Sequence, residues 1–572
     1  MSPRQRTRTN TRPRTRPRTL APSAGEAASP PTEVELKLAV RPADLPRLRR
    51  ALNPLGRAQR MQLETIYLDT PDRALAARGL ALRLRRAGST WVQTLKGADM
   101  QTARTAPGEG SALSARAEWE TAVPHGRLQL DQLGCDAATA RWLASQAAQL
   151  SPAFRTRFVR STWQTELGGA RIEVALDLGE IRVPRQAARA AARAALLELE
   201  LEFKGSTAGT AGADEAARQR AACISLLDLA QRLAAGTRGA PLALLPLGSS
   251  KAARGHRLAS GTIPVPIKAS AAAFAADLQR TDSATQTLAR VIDRGVSIVL
   301  ANLEGLSAAH AAARRASGAP VDPEFVHQAR VALRRMRSAI RLLRAVAPLP
   351  VDLVPPLRTL AQALGGVRDW DVIAAELLPP LVAAAREAGI LSAADATRLA
   401  RAVVRRQSAA RAALQRVIDA PATALGLLGA MRWAQGALDA GGRPLSAQAD
   451  ALLAQAARRL RRAARGFARQ APAARHRVRI VAKRLRYALD LLGPHLAAAG
   501  RARYGRALAA LQDEMGAMND ATVLRRHLPE LTRKAALLRW ADVWLAEREA
   551  AAVAASRVRL ARLKRMRLPA RG

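Results

Sequence analysis

Two segments of this chain alternate charged and apolar residues so strictly that only an extended strand with two unlike faces accommodates them. Residues 33–37 read Glu-Val-Glu-Leu-Lys, and residues 198–204 read Glu-Leu-Glu-Leu-Glu-Phe-Lys. Successive strand residues point to opposite sides of a sheet, so Glu33, Glu35 and Lys37 share one face, as do Glu198, Glu200, Glu202 and Lys204. Carboxylates and ammonium groups side by side are the inventory needed to hold a divalent metal and a polyanion together.

The habit recurs between these two ends. Strands are expected over 33–40, 64–69, 80–86, 90–96, 115–121, 154–164, 171–183 and 196–203, with Gly, Pro and Asp between most of them. Arg83 and Arg85 alternate with leucines, Lys96 closes Thr-Leu-Lys, and Arg116, Glu118 and Glu120 line one side of the fifth strand. Arg155 and Arg157 do the same on the sixth, and Glu173 and Asp177 on the seventh. For any single strand, a solvated outer face explains the charges. For eight together the better reading is a barrel with its apolar face outward under helices and its charged face inward. Burying so many charges is costly unless they pair or bind a ligand, and a water-filled tunnel holding metal and triphosphate meets that cost. Helical intervals are expected over 42–52, 130–149 and 213–235, a Gly/Pro/Ser-containing excursion over 97–114, and a linker over 238–268.

Beyond about 270 the chain reads as helix, with apolar residues at three and four spacing. This half repeats internally. His327, Arg330, Arg334 and Arg337 stand in one segment as His476, Arg479, Lys483 and Arg486 stand in another. Downstream, Leu364-Gly-Gly-Val-Arg-Asp-Trp-Asp-Val matches Met515-Gly-Ala-Met-Asn-Asp-Ala-Thr-Val. Two units are expected, about 269–420 and 421–565. On a helix His327, Arg330, Arg334, Arg337 and Arg341 share a face, and the second copy adds Arg484 and Tyr487. Two solvated basic helices are the plain alternative. Like charges at such spacing destabilise a helix, however, and their repetition beside a histidine suggests a polyanion as compensation. Asp369, Asp371 and Asp520 are expected to cap helices or pair with arginines.

The net charge of +45 on 572 residues calls for an anionic partner. Aromatic residues at 3% argue against base stacking, and no nucleic-acid motif is present, so nucleic acid is a poor candidate. No run long and apolar enough for a membrane span is read. Two cysteines, Cys135 and Cys223, form neither metal spacing nor a disulfide framework, which fits a reducing cytoplasm. Residues 1–30, rich in Arg, Thr and Pro, are expected to be a disordered basic tail.

Glu33-x-Glu35-x-Lys37, Tyr67-Leu-Asp69-Thr70, Leu82-Arg-Leu-Arg85, Thr94-Leu-Lys96 and Glu198-x-Glu200-x-Glu202 resemble the CYTH superfamily, the triphosphate tunnel metalloenzymes. That resemblance implies an eight-stranded antiparallel tunnel, joined here to an all-α duplicated bundle in an α+β multidomain chain. It further implies metal-dependent hydrolysis or rearrangement of a triphosphate with Mg²⁺ or Mn²⁺. By position, Glu33, Glu35, Glu198 and Glu200 would hold metal. Lys37, Arg83, Arg85, Lys96, Arg155, Arg157 and Lys204 would grip phosphate oxygens, with Lys37 also catalytic and Glu202 orienting the attacking water.

The helical half resembles the CHAD domain, and Ser250-Lys-Ala-Ala-Arg-Gly255 looks like the junction in CYTH–CHAD fusions. This implies a basic groove binding inorganic polyphosphate through His327, Arg330, Arg334, Arg337, Arg341, His476, Arg479, Lys483, Arg484, Arg486 and Tyr487. The histidines would act as hydrogen-bond donors rather than as metal ligands or phospho-acceptors. The expected function is a metal-dependent inorganic triphosphatase acting on tripolyphosphate or a related triphosphate. The alternative is a non-catalytic polyphosphate-binding protein that targets polyphosphate granules.

Overall fold

A computed structural model describes residues 32–99, 112–185, 191–206, 214–237, 239–315 and 321–570. The expected tail over 1–30 and most of the 97–114 excursion lie outside the described residues. The eight expected strands are present: β1 (Thr32–Ala39), β2 (Gln59–Asp69), β3 (Ala81–Ala87), β4 (Thr90–Asp99), β5 (Leu113–Val123), β6 (Ser151–Leu167), β7 (Ala170–Val183) and β8 (Ala192–Ser206). They pair antiparallel in the order β5-β4-β3-β2-β6-β7-β8-β1. β1 then pairs back onto β5, with Glu33 opposite Arg116, so the sheet closes into a barrel. A two-residue strand, β9 (Leu245–Pro246), adds to β1 outside the closure.

Closure decides what alternation alone leaves open, namely which face is inside. Val34, Leu36, Leu38, Leu199 and Leu201 join the main apolar core on the outer surface, beneath the helix that follows the barrel. Glu33, Glu35, Lys37, Glu200 and Glu202 line the lumen. The barrel is therefore apolar outside and charged within, the reverse of an ordinary small barrel filled by apolar side chains.

Four helices attend the barrel: α1 (Leu45–Leu52), α2 (Ala74–Ala77), α3 (Ala137–Gln146) and α4 (Glu215–Ala235). The expected linker is more ordered than a Gly/Pro/Ser-rich composition suggests. It contains α5 (Lys251–Ser260), and α6 (Ala271–Ala275) follows it. Ser250 starts α5 by accepting the Ala253 N–H at 3.1 Å, and Gly261 ends it in the left-handed conformation.

The helical half comprises α7 (Ala284–Arg315), α8 (Glu324–Leu343), α9 (Val354–Val372), α10 (Leu378–Glu387), α11 (Ala393–Ile418), α12 (Pro421–Ala437), α13 (Ala449–Ala463), α14 (Pro472–Leu491), α15 (Ala498–Leu531) and α16 (Ala535–Arg565). The two histidine segments form α8 and α14, which pack against each other. The second landmark lies on α9 in one copy and on α15 in the other. In the first copy it is followed at once by a π-helical turn, Ile373–Leu377, that runs on into α10. By length and composition alone α7 is apolar enough to cross a membrane, at mean hydropathy 1.3. Its apolar residues, among them Leu288, Ile292, Val299 and Leu303, belong to the core, and it packs on α8 and α12.

The two halves share that core. It runs from β1 through Leu226 and Leu227 of α4 to Leu427, Leu428 and Met431 of α12. Arg432 meets Asp228 at 2.9 Å, Arg220 meets Asp439 at 2.7 Å, and Arg41 donates to the Asp419 carbonyl at 2.7 Å.

Candidate functional site

The barrel holds a cavity of about 1020 Å³ that opens to solvent. Each lining strand contributes by parity. β1 presents Glu33, Glu35 and Lys37; β3 presents Arg83 and Arg85; β4 presents Lys96; β5 presents Arg116, Glu118 and Glu120. β7 adds Glu173, and β8 adds Glu200, Glu202 and Lys204. Lys96 Nζ stands 2.6 Å from Glu33 and 2.9 Å from Glu118, and Arg83 meets Glu118 at 3.1 Å. Lys37 pairs with Glu35, which also accepts from Ser114 Oγ at 3.0 Å.

Two groups are left short of opposite charge. Burial, then Arg83 and Arg160, push the Arg85 guanidinium down to about 10, and its Nε has no hydrogen-bond partner. Burial, then Glu33, push the Glu202 carboxyl up to about 7, although Lys204 stands beside it at 2.5 Å. A buried guanidinium that lacks an acceptor suits a phosphate oxygen. Carboxylate oxygens suit a hard divalent cation, and Glu33, Glu35 and Glu202 supply them to one cavity, although their oxygens do not gather within 4.8 Å of one another.

Other predicted residues are placed differently. Arg155 and Arg157 lie on the outer face of β6. Arg155 is half-exposed beside Glu64, and the lumen receives Phe154, Thr156, Phe158 and Arg160 instead. On β6 the inward positions beside α5 include Phe154 and Phe158, which pack in an aromatic and aliphatic cluster, so its charged alternation marks the outer face. Tyr67 stacks on Phe154 at 4.5 Å, and Phe154, Phe158, Leu63 and Leu196 form one cluster with Ala252 of α5. The parity of the two phenylalanines was the available signal for Arg160.

Glu198 is also apart from Glu33 and Glu35. The register sets Glu35 opposite Glu202 and Lys37 opposite Glu200, while Glu198 lies further along, opposite Ala39 and Asp177. Among the described residues, Asp177, Glu198 and Glu200 form the one group of three acids whose ligand oxygens lie within 4.8 Å of one another. Lys251 of α5 pairs with all three. The sequence reading noticed Lys251 only as part of a junction. His256 of α5 lines the cavity and meets Phe154 edge-on at 5.0 Å.

In the helical half, α8 buries Val326, Ala329, Leu333 and Met336 and turns its basic stripe away from the core. Burial, then Arg479, Arg334 and Arg330, push the Lys483 ammonium down to about 7. Those four cations from two helices therefore share one neighbourhood. Arg334 lies over the Tyr487 ring at 5.6 Å, with Arg335 at 5.0 Å. Burial and nearby arginines lower His327, and burial with Arg479 and Lys483 lowers His476. Both imidazoles are therefore predominantly neutral at pH 7. Arg337, Arg341 and Arg484 belong to a second group with Arg358 and Arg459, and Arg486 is half-buried on α14. Asp371 is buried and accepts from Gln407 and Arg411, each at 3.0 Å, while Asp520 lies near Arg479.

Comparison with known proteins matches the CYTH domain over residues 31–233 and the CHAD domain over residues 297–529. Among solved structures, the CHAD domain from the plant Ricinus communis is 27% identical and covers 54% of this chain and 99% of that one, with a TM-score of 0.45. A putative adenylyl cyclase from Hippeastrum, described as having a dominant triphosphatase activity, is 18% identical over 30% of this chain and 80% of its own, at TM-score 0.21. A putative adenylate cyclase from Bacillus halodurans is 15% identical over 35% and 89%, at TM-score 0.23.

Proposed function

Because the chain carries a CYTH domain followed by a CHAD domain, we propose that it is a metal-dependent triphosphatase whose helical half binds inorganic polyphosphate. One observation supports the reading: a barrel cavity lined by both carboxylates and cations, of a size that admits a triphosphate. Tripolyphosphate or a related triphosphate is the substrate this lining suits.

Glu33, Glu35 and Glu202 would hold Mg²⁺ or Mn²⁺. The bound metal would neutralise phosphate charge and lower the pKa of a coordinated water. Arg83, Arg85, Lys96 and Arg160 would hold the phosphate oxygens in line and offset the charge that gathers on them as the terminal phosphoryl group departs. Lys37, held by Glu35, would orient that carboxylate toward the lumen and meet the substrate alongside it. Glu202, facing the cavity, would orient the attacking water. In the helical half, the Arg330–Arg334–Arg479–Lys483 neighbourhood would take a polyphosphate chain, with His327 and His476 donating hydrogen bonds beside it.

A non-catalytic polyphosphate binder is the second reading, and it draws on the Lys251 ammonium seated among three of the tunnel's acids. Phosphate release from tripolyphosphate decides between the two, measured with Mg²⁺, with Mn²⁺ and with chelator. Metal-dependent release that Glu33→Gln/Glu35→Gln abolishes supports the enzyme. Folded protein that binds polyphosphate tightly and releases nothing from tripolyphosphate supports the binder.

A further inference from the structure

Three acids that could hold a cation by geometry are already served by one from the chain itself. Lys251 Nζ stands 2.8 Å from Asp177 Oδ2 and 2.7 Å from Glu200 Oε1, and it pairs with Glu198 as well. Arg160 bridges Asp177, at 2.6 Å, and Glu200 from the lumen side, and Arg254 pairs with Glu198 from one turn further along α5. Three carboxylates thus face three cations. Glu198 and Asp177 are fully buried, and Lys251 is 7% exposed. A divalent ion entering this seat would have to evict an ammonium fastened to a helix.

That helix is held from both halves of the chain. Gly255 rests on Phe154 inside the barrel. Toward the helical half, Glu304 of α7 accepts the Ser249 N–H at 3.0 Å and the Arg257 guanidinium at 3.1 Å, and Arg257 also donates to Ser249 Oγ at 2.7 Å. Withdrawing Lys251 would therefore disturb the junction between the halves as well as the acids.

We propose that Asp177, Glu198 and Glu200 form a seat for the Lys251 ammonium and not a metal site. Lys251 is then a positioning residue that orients Glu200 at the lumen edge, and it latches the helical half to the tunnel through α5. The proposal rests on the metal-dependent reading only in placing the divalent ion elsewhere, at Glu33, Glu35 and Glu202. It predicts that Glu198, despite its place in the Glu-x-Glu pattern, is dispensable for metal affinity. It also predicts that removing the ammonium creates a cation site where none is free.

The test is Mn²⁺ binding to the full-length protein, followed by calorimetry and by the Mn²⁺ paramagnetic resonance signal. In Glu198→Gln, affinity is expected to stay within about threefold of wild type, because an acid that is not a ligand costs less than the roughly tenfold or more of a lost ligand or its support. In Lys251→Met, one additional Mn²⁺ is expected, with a melting temperature that now rises on adding Mn²⁺. A tenfold or greater loss in Glu198→Gln overturns the proposal, as does a folded Lys251→Met with no added site. Should Lys251→Met fail to fold, Glu198→Gln decides, with Lys251→Arg as the folded control expected to bind Mn²⁺ as wild type does. Absence of Mn²⁺ binding by the wild type counts against the metal-dependent reading alone, since a site gained in Lys251→Met still supports the seat.

Discussion

Gly255 of α5 lies against the ring of Phe154 on β6, so close that a Cβ built on the glycine would stand 2.0 Å from Cε2. The helix enters the barrel end because this one position has no side chain. Gly255→Ala must move either the ring or the helix. Overpacking of this kind costs about 1–3 kcal/mol. The expected result is a lower melting temperature and faster proteolytic cleavage around residues 245–265. A variant as stable and as resistant as wild type would show that α5 does not seat in this way.

Arg160 and Arg157 differ by three positions and by the face of β6 they occupy. If the cavity is where phosphate binds, Arg160→Gln loses charge-assisted hydrogen bonds, and kcat/KM for tripolyphosphate falls by about tenfold or more. Arg157→Gln, on the outer face, is expected to stay within about twofold of wild type. The reverse ranking would mean that the two faces of β6 are exchanged.

Under the proposed role of the helical half, Lys483 would make polyphosphate binding depend on pH. Its pKa is depressed to about 7 in the folded protein, so the side chain is largely neutral above that pH. A bound polyanion favours the charged form, so binding takes up a proton between about pH 7 and the pKa reached in the complex. Affinity should strengthen as pH falls toward 7 and level off below it, and Lys483→Met should flatten that slope. Stability without ligand runs the other way. The unfolded lysine binds its proton up to its ordinary pKa of 10.5, so folding becomes more favourable as pH rises from about 7 through that window. Binding curves and thermal melts from pH 6 to 10 read both signs.

Asp371, in the segment that precedes the π-helical turn, is 5% exposed and accepts from Gln407 and Arg411 of α11. Asp371→Ala strands both donors and is expected to cost about 2 kcal/mol, read as a lowered denaturant midpoint. Unaltered stability would point to a role for this acid outside the α9–α11 packing.

Much of the architecture was legible from residues close together in the chain. The Glu-Val-Glu-Leu-Lys and Glu-Leu-Glu-Leu-Glu-Phe-Lys alternations set strand positions and showed which residues share a face, because strand geometry has a period of two. Apolar spacing of three and four, with the paired histidine segments, marked α8 and α14 and the duplication between them. The combination of carboxylates and cations indicated phosphate chemistry.

What remained depended on closure. Alternation says that Arg155 and Arg157 lie together, but only the completed barrel, with α5 packed into one end, turns them outward and Arg160 inward. Glu198 and Glu200 sit in one repeating pattern, yet Lys251 engages both along with Asp177, since a residue some fifty positions later folds back into the lumen. Local sequence carries the periodicity of an element, whereas burial and ion pairing depend on which distant segments share a volume. The amino-acid order alone determined the strands, the basic helices with their repeat, and the mixture of carboxylates and cations on shared faces. Tertiary structure decided which charges face the cavity and which already have a partner.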